Sequence, residues 1–228
     1  MLGVSFSEGM EDFLVELNKL EGLKASFLTR YAGVPVDTDK EATVKRLEPN
    51  HRKAVEKLGF SWDQLWRAEQ VHGAKIAKIS VSDERNGDCT IGGVDGLVTA
   101  NRGVLLGIYV ADCGAIYMAD KETGAIGLLH SGKKGTELNI LKNGLDRMKK
   151  EFGTKPENVM VRLAPCIRPP AYEIDFAKDI QAQAKELGIK KKNFTDCGIC
   201  TSSDLDTYYS YRIEQGATGR MLALLGRI

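Results

Sequence analysis

Three short runs bring together residue types that bind metals and move protons: Gln70-Val71-His72-Gly73, Val110-Ala111-Asp112-Cys113-Gly114 and Leu129-His130-Ser131-Gly132. The chain has three histidines, and two of them stand in these runs. The middle run sets a cysteine beside a carboxylate. Each run closes an apolar, strand-like stretch with a glycine, which is how a fold delivers distant side chains to one point. Two imidazoles and a thiolate suit zinc and leave one coordination position for water or substrate. The spacing leaves a plainer alternative open, since a histidine beside glycine is also an ordinary turn or core residue.

Neighbours in a strand face opposite sides. Asp112 and Cys113 therefore share a pocket only where the strand ends, and Gly114 permits that break. Asp112 then serves as a base or orients a ligand from behind; capping a turn is the alternative. Cys113 with a nearby histidine also makes a nucleophile dyad, a competing use of the same atoms. Cys197-x-x-Cys200 resembles half of a structural zinc site or a redox pair, but the absence of a matching second pair argues against either. Cys89 and Cys166 read as bystanders. Gly132-Lys133-Lys134-Gly135-Thr136 precedes a helix and suits an anion, though it lacks the phosphate-loop spacing and a basic turn is the alternative. Arg212 and Arg220 are further anion candidates, with surface ion pairing as their default.

The elements that must position these groups fit in 228 residues with 43% hydrophobic content, enough for a sizeable core. Lys+Arg (32) and Asp+Glu (31) nearly cancel, so charge gives no nucleic-acid footprint. Lys190-Lys191-Lys192 reads as a solvated helix end. The first residues lack the basic-then-apolar pattern of a signal peptide, and no apolar run approaches the ~20 residues of a membrane span. Five cysteines at irregular spacings argue against a disulfide framework. The expectation is a cytoplasmic protein with no membrane and no nucleic-acid partner.

Met10, Phe13, Leu14, Leu17 and Leu20 form a helical stripe stopping near Gly22. Residues 25–29 read as a strand, 32–45 as a loop, 49–58 as a helix, and Ser61 as the cap of a short helix. Val71, Ile76, Ile79 and Val81 suggest a strand bulged at Gly73. Residues 82–93, with Asn86-Gly87 and Gly92-Gly93, read as a loop. Strand-like runs follow at 96–100, 104–110, 115–118 and 124–129. An amphipathic helix spans 137–152, with Leu138, Leu141, Leu145 and Met148 on one face. A strand at 159–163, a stiff turn at 165–170, a helix at 175–187 and extended runs at 208–211 and 221–225 complete the chain. No repeat or linker divides it. The expectation is a single α+β domain over 1–228, with mixed β-sheets flanked by helices.

Taken together, the motifs resemble the laccase-domain family, also called the multicopper polyphenol oxidase or YfiH family. The matching runs are Gln70-Val71-His72-Gly73, Asp95-Gly96-Leu97-Val98-Thr99, Ala111-Asp112-Cys113, His130-Ser131-Gly132, Ala164-Pro165-Cys166-Ile167 with Tyr172-Glu173, and Ser210-Tyr211-Arg212 with Thr218-Gly219-Arg220-Met221. They occur in family order from about residue 25 onward. The resemblance implies a zinc site from His72, Cys113 and His130, with copper as the less favoured ion. It implies phosphorolysis of adenosine, inosine and methylthioadenosine, adenosine deamination, or editing of peptidoglycan precursors. Asp112 and Cys113 are the catalytic candidates, and Arg30, Asn50, Gln70, Lys133, Lys134 and Arg212 the substrate-facing ones. Relatives carry Trp-Arg where this chain has Lys133-Lys134; lysine keeps the charge but loses the bidentate fork. The segment after Arg30 is abbreviated, and His51 separates Asn50 from Arg52.

The oxidase label demands a type 1 copper and a trinuclear cluster with histidine as the main ligand. Three histidines cannot furnish that set within one chain. The leading expectation is therefore a zinc-dependent purine nucleoside enzyme, with nucleoside and phosphate as partners. Its rivals are a hydrolase using Cys113 with His72 or His130, and a zinc-stabilised binding module.

Overall fold

The computed structural model describes residues 12–83 and 89–228. Its helices are α1 (Val15–Asn18), α2 (Lys40–Lys57), α3 (Lys133–Glu137), α4 (Ile140–Phe152) and α5 (Phe176–Glu186). Its strands are β1 (Leu23–Leu28), β2 (Leu65–Ala68), β3 (Ile76–Lys78), β4 (Thr90–Ile91), β5 (Gly96–Thr99), β6 (Val104–Val110), β7 (Gly114–Asp120), β8 (Ile126–Ser131), β9 (Val159–Leu163), β10 (Phe194–Asp196) and β11 (Met221–Arg227). A five-stranded sheet runs β1-β11-β6-β2-β4 and a six-stranded sheet β10-β9-β7-β8-β5-β3. Both are mixed: β11 pairs antiparallel with β6, whereas β2 pairs parallel with β6 and β3 with β5. The fold is α+β.

Alternation along the strands explains the layering. In β6, Val104, Leu106, Ile108 and Val110 meet Leu97, Tyr117 and Leu128 of the second sheet in one core. The alternate residues Leu105 and Tyr109 meet Ala54 and Val55 of α2 on the outer face. In β7, Tyr117 and Ala119 face the first sheet, while Ile116 and Met118 meet Ile140, Leu141, Leu145 and Met148 of α4 and Ile180 of α5. The order is thus α2, sheet, sheet, then α4 and α5. Both faces of the central strands are covered, so they read as continuous apolar runs. Truncating a core leucine such as Leu106 to alanine costs about 2–5 kcal/mol.

Several elements depart from the sequence expectation. The helix expected from residue 49 begins at Lys40, because Asp39 caps it by accepting from the Ala42 amide at 3.0 Å. Pro49 lies inside that helix; burial of Leu47, His51, Ala54 and Val55 offsets the missing donor. The helix expected over 137–152 is two: Asn139 takes a left-handed turn (φ 57°) between α3 and α4, leaving Leu138 exposed. Val71 is exposed as well, and 70–75 is a loop, not a bulged strand. Strand β2 went unread, and β4 falls in an expected loop. Residues 208–210 carry no regular structure and 211 opens a turn, whereas β11 extends as expected. Ser61 caps a turn of helix at Trp62–Gln64, and its amide donates to Gln64 at 2.8 Å. Met10 and Asn86-Gly87 lie outside the described residues.

Candidate metal centre

His72 lies on the connection from β2 of the first sheet to β3 of the second, and Cys113 on the turn from β6 to β7. Both stand where the chain changes sheets. His130 is inside β8, opposite Ala115. The ligand atoms of the three lie within 4.8 Å of one another. The two imidazole rings sit 4.9 Å apart, edge to face. Among the described residues this is the one His/Cys/acid group so disposed; Cys197 and Cys200 do not form another.

The backbone around the centre is held in a costly shape. Gln70, His72 and Asp112 have φ of 65°, 58° and 77°, a region costing a non-glycine residue of order 1–3 kcal/mol. Each is pinned by named bonds. The Gln70 amide group donates to the Tyr109 carbonyl at 2.5 Å and accepts from the Tyr109 amide at 2.9 Å. The His72 and Gly73 amides donate to the two oxygens of Asp95, at 2.9 and 2.7 Å. The Asp112 carboxylate accepts from the Thr201 hydroxyl and the Arg212 amide, both at 2.7 Å. The break that lets Asp112 and Cys113 share a pocket is therefore Asp112 itself; Gly114 is already the first residue of β7.

Asp95 was not singled out as a site residue from the sequence, yet it organises both histidines. It is fully buried and also sits 2.9 Å from His130 Nδ1. Burial would raise its pKa, but hydrogen bonds from His130, Gly73 and His72 lower it. Burial would likewise depress His130, but Asp95 and Cys113 raise it to about 9. Burial would push the Cys113 thiol up, yet hydrogen bonds and charge from His130 and His72 bring it down to about 6. Two nitrogens, one acidified sulfur and a carboxylate behind one imidazole fit a zinc-like ion. His72 is the exposed member, so the centre opens on its side. A Cβ on Gly132 would lie 2.6 Å from the Cys113 sulfur, so the thiol's position needs that glycine.

The centre lines a cleft of about 910 Å³, within the range that holds small-molecule ligands. Gln70, Asp112, Lys133, Lys134 and Arg212 line it too. Lys133 and Lys134 are exposed at the start of α3. The Arg212 side chain is already engaged, 2.9 Å from Glu173 and stacked on Tyr172 at 4.9 Å. Arg30 and Asn50 do not line the cleft. Arg30 is tied to Glu214 at 2.7 Å and lies over the Tyr209 ring; Asn50 is on α2. Tyr109, Tyr172, Phe176 and Tyr211 give aromatic wall, and only Tyr172 and Tyr211 had a signal, as members of the family runs. The third histidine, His51, is buried 5.7 Å from the Tyr31 ring and 5.6 Å from Tyr109.

A family model described as multi-copper polyphenol oxidoreductase laccase matches residues 26–184 and 174–228. The purine nucleoside phosphorylase YlmD of Geobacillus stearothermophilus is 30% identical over 90% of this chain and 85% of its own. The purine nucleoside phosphorylase of Deinococcus radiodurans is 30% identical over 86% and 83%. The crystal structure of YlmD from Geobacillus stearothermophilus matches with a TM-score of 0.80 at 27% identity, covering 91% of this chain and 93% of that one. The Bacillus licheniformis protein YfiH shares the fold, with a TM-score of 0.81 at 21% identity over 90% and 93%. On these matches, the chain belongs to the multi-copper polyphenol oxidoreductase laccase family.

Proposed function

We propose that this chain, acting as one domain, is a zinc-dependent purine nucleoside phosphorylase for adenosine, inosine and methylthioadenosine, with adenosine deamination as a second activity of the same centre. The observation that carries the reading is the His72–Cys113–His130 cluster opening onto a cleft with aromatic and basic walls. Similarity to proteins named purine nucleoside phosphorylases over most of both chains supports it.

His72, Cys113 and His130 would hold the ion, which when bound lowers the pKa of water to about 7. Asp95 fixes His130 with Nδ1–H toward the carboxylate and Nε2 free to face the cleft. Asp112 accepts from the Thr201 hydroxyl and the Arg212 amide, which hold its carboxylate beside Cys113, as a base or a positioning group requires. The tyrosines offer flat surface for a purine to stack on. In phosphorolysis a phosphate oxygen bonds to the anomeric carbon, the carbon–nitrogen bond breaks, and its electron pair leaves with the purine, which takes up a proton. Lys133 and Lys134 attract the phosphate to the cleft.

Incubating the protein with inosine, with and without phosphate, tests this. Hypoxanthine and ribose 1-phosphate released only with phosphate support it, together with stoichiometric zinc. No turnover on any purine nucleoside overturns it. The oxidase reading lacks ligands: two histidines reach the centre and His51 is buried elsewhere. One observation favours a second reading, since Cys113, His130 and Asp95 in series also describe a nucleophile, base and orienting acid. That reading predicts a metal-free amide hydrolase, such as one editing a peptidoglycan precursor, inactivated by thiol alkylation.

A further inference from the structure

Arg220 immediately precedes β11 and lines the cleft. Its Nη1 donates to two carbonyls of its own loop, Thr218 at 3.2 Å and Gly219 at 2.8 Å. Those bonds fix the guanidinium without neutralising it. Nearby arginines are neutralised by contact: Arg30 with Glu214, Arg212 with Glu173, Arg168 with Asp196. Among the described residues no carboxylate touches Arg220. The groups that act on it at range are Tyr211, whose ring centre lies 5.9 Å away, and then Cys113 and Asp112. Cys113 belongs to the ligand set, and both Asp112 oxygens already accept hydrogen bonds.

A second cation faces the same space. Lys40, the first residue of α2, lines the cleft. Solvent reaches it through the mouth, yet surrounding protein lowers its pKa, and the charge of Arg220 adds to that lowering. It stands at the positive end of an 18-residue helix, the wrong end for a cation. Two carboxylates pull on it from a distance: its neighbour Glu41, and Glu69, which is held by the Gly93 amide at 2.6 Å. Two like charges in one cleft repel, and an anion set between them turns the repulsion into attraction. A guanidinium fork grips two oxygens at once, and an ammonium supplies a point charge to a third.

We propose that Lys40 and Arg220 form the seat of a tetrahedral, doubly charged oxyanion: orthophosphate, or the phosphate ester of a phosphorylated nucleoside. This rests on the reading of the cleft as a nucleoside site, and it moves the anion's resting place from Lys133-Lys134 at the start of α3 to Lys40 and Arg220. Lys40 lies in the stretch between Arg30 and Asn50, whereas Arg220 stands in one of the runs that carry the family resemblance, so the seat joins two separate parts of the chain.

The test measures binding of orthophosphate alone, and of AMP against adenosine, to the full zinc-loaded chain by calorimetry. K40Q and R220Q are each expected to weaken phosphate about tenfold or more, with R220K intermediate and the Lys133→Gln and Lys134→Gln variants losing less. A loss confined to orthophosphate assigns the seat to the attacking phosphate. A loss confined to AMP assigns it to an ester; either supports the seat. Unchanged affinity for both anions in folded K40Q and R220K overturns it, as does a wild-type chain that binds neither. If no nucleoside is cleaved but the anion still depends on the pair, the functional reading fails and the seat stands. If phosphorolysis proceeds with an unchanged KM for phosphate in K40Q, the seat fails and the reading stands.

Discussion

Asp95 and His130 are joined twice: His130 Nδ1 lies 2.9 Å from an Asp95 carboxylate oxygen, and the His130 amide donates to the Asp95 carbonyl at 2.7 Å. The side-chain contact fixes the tautomer of the imidazole, and the main-chain contact fixes where β8 delivers it.

Asp95→Ala removes the acceptor of the His72 and Gly73 amides and of His130 together. Metal affinity is expected to fall roughly 10- to 100-fold, and each buried donor left unpaired costs about 1–3 kcal/mol. Competition with a chelator and thermal unfolding read the two effects separately. Asp95→Asn, which keeps the volume and one acceptor oxygen, should fall between. Wild-type zinc affinity in Asp95→Ala contradicts this.

Gly132→Ala should displace the Cys113 thiol while leaving the fold intact. Gly132 has φ of −103°, which any residue adopts, so the only obstacle is the 2.6 Å approach of the new Cβ to sulfur. Zinc content should drop, while the unfolding midpoint measured with excess chelator should match that of the metal-free wild type. A variant that loads metal normally would show that the thiol can move.

His51 makes stability depend on acid. Burial, aided by the charge of Arg67, depresses its pKa from 6.5 to about 4. Between those values the unfolded chain binds the proton and the folded chain does not, so stability is full above 6.5 and falls as pH drops. By pH 4 this one group removes about 3 kcal/mol. Urea unfolding at pH 7 and pH 4 should show the loss in the wild type, and His51→Phe should abolish that share of it.

Arg30→Gln should destabilise the fold by about 2 kcal/mol, since it takes from Glu214 its one cationic partner among the described residues and from the Tyr209 ring its cation. Because Arg30 lies outside the cleft, KM for phosphate in the folded fraction should not move. A raised KM with unchanged stability would return Arg30 to the site.

Much of the centre was legible because its ligands are rare: with three histidines in the chain, two beside glycines at strand ends stand out. The central strands were legible because both faces are covered and their runs stay apolar. Asp95 was harder to find, since one carboxylate in an apolar run looks the same whether it caps a turn or orders a metal site. The start of α2 was hidden by Pro49 and by a polar stretch whose helical character rests on the Asp39 cap and on burial two turns later. Arg30 read as substrate-facing because its partner, Glu214, is brought to it only by the fold.

His72 and Cys113 occupy the points where the chain passes from one sheet to the other, and His130 lies within the second. An ion joined to all three is, in polymer terms, a cross-link closing the loops between 72 and 113 and between 113 and 130. It removes open conformations from the unfolded chain. Mass action then makes the protein's persistence a function of the free-metal concentration around it. Removal of such an ion would act first on the seam between the sheets, where two of the three residues that would hold it stand.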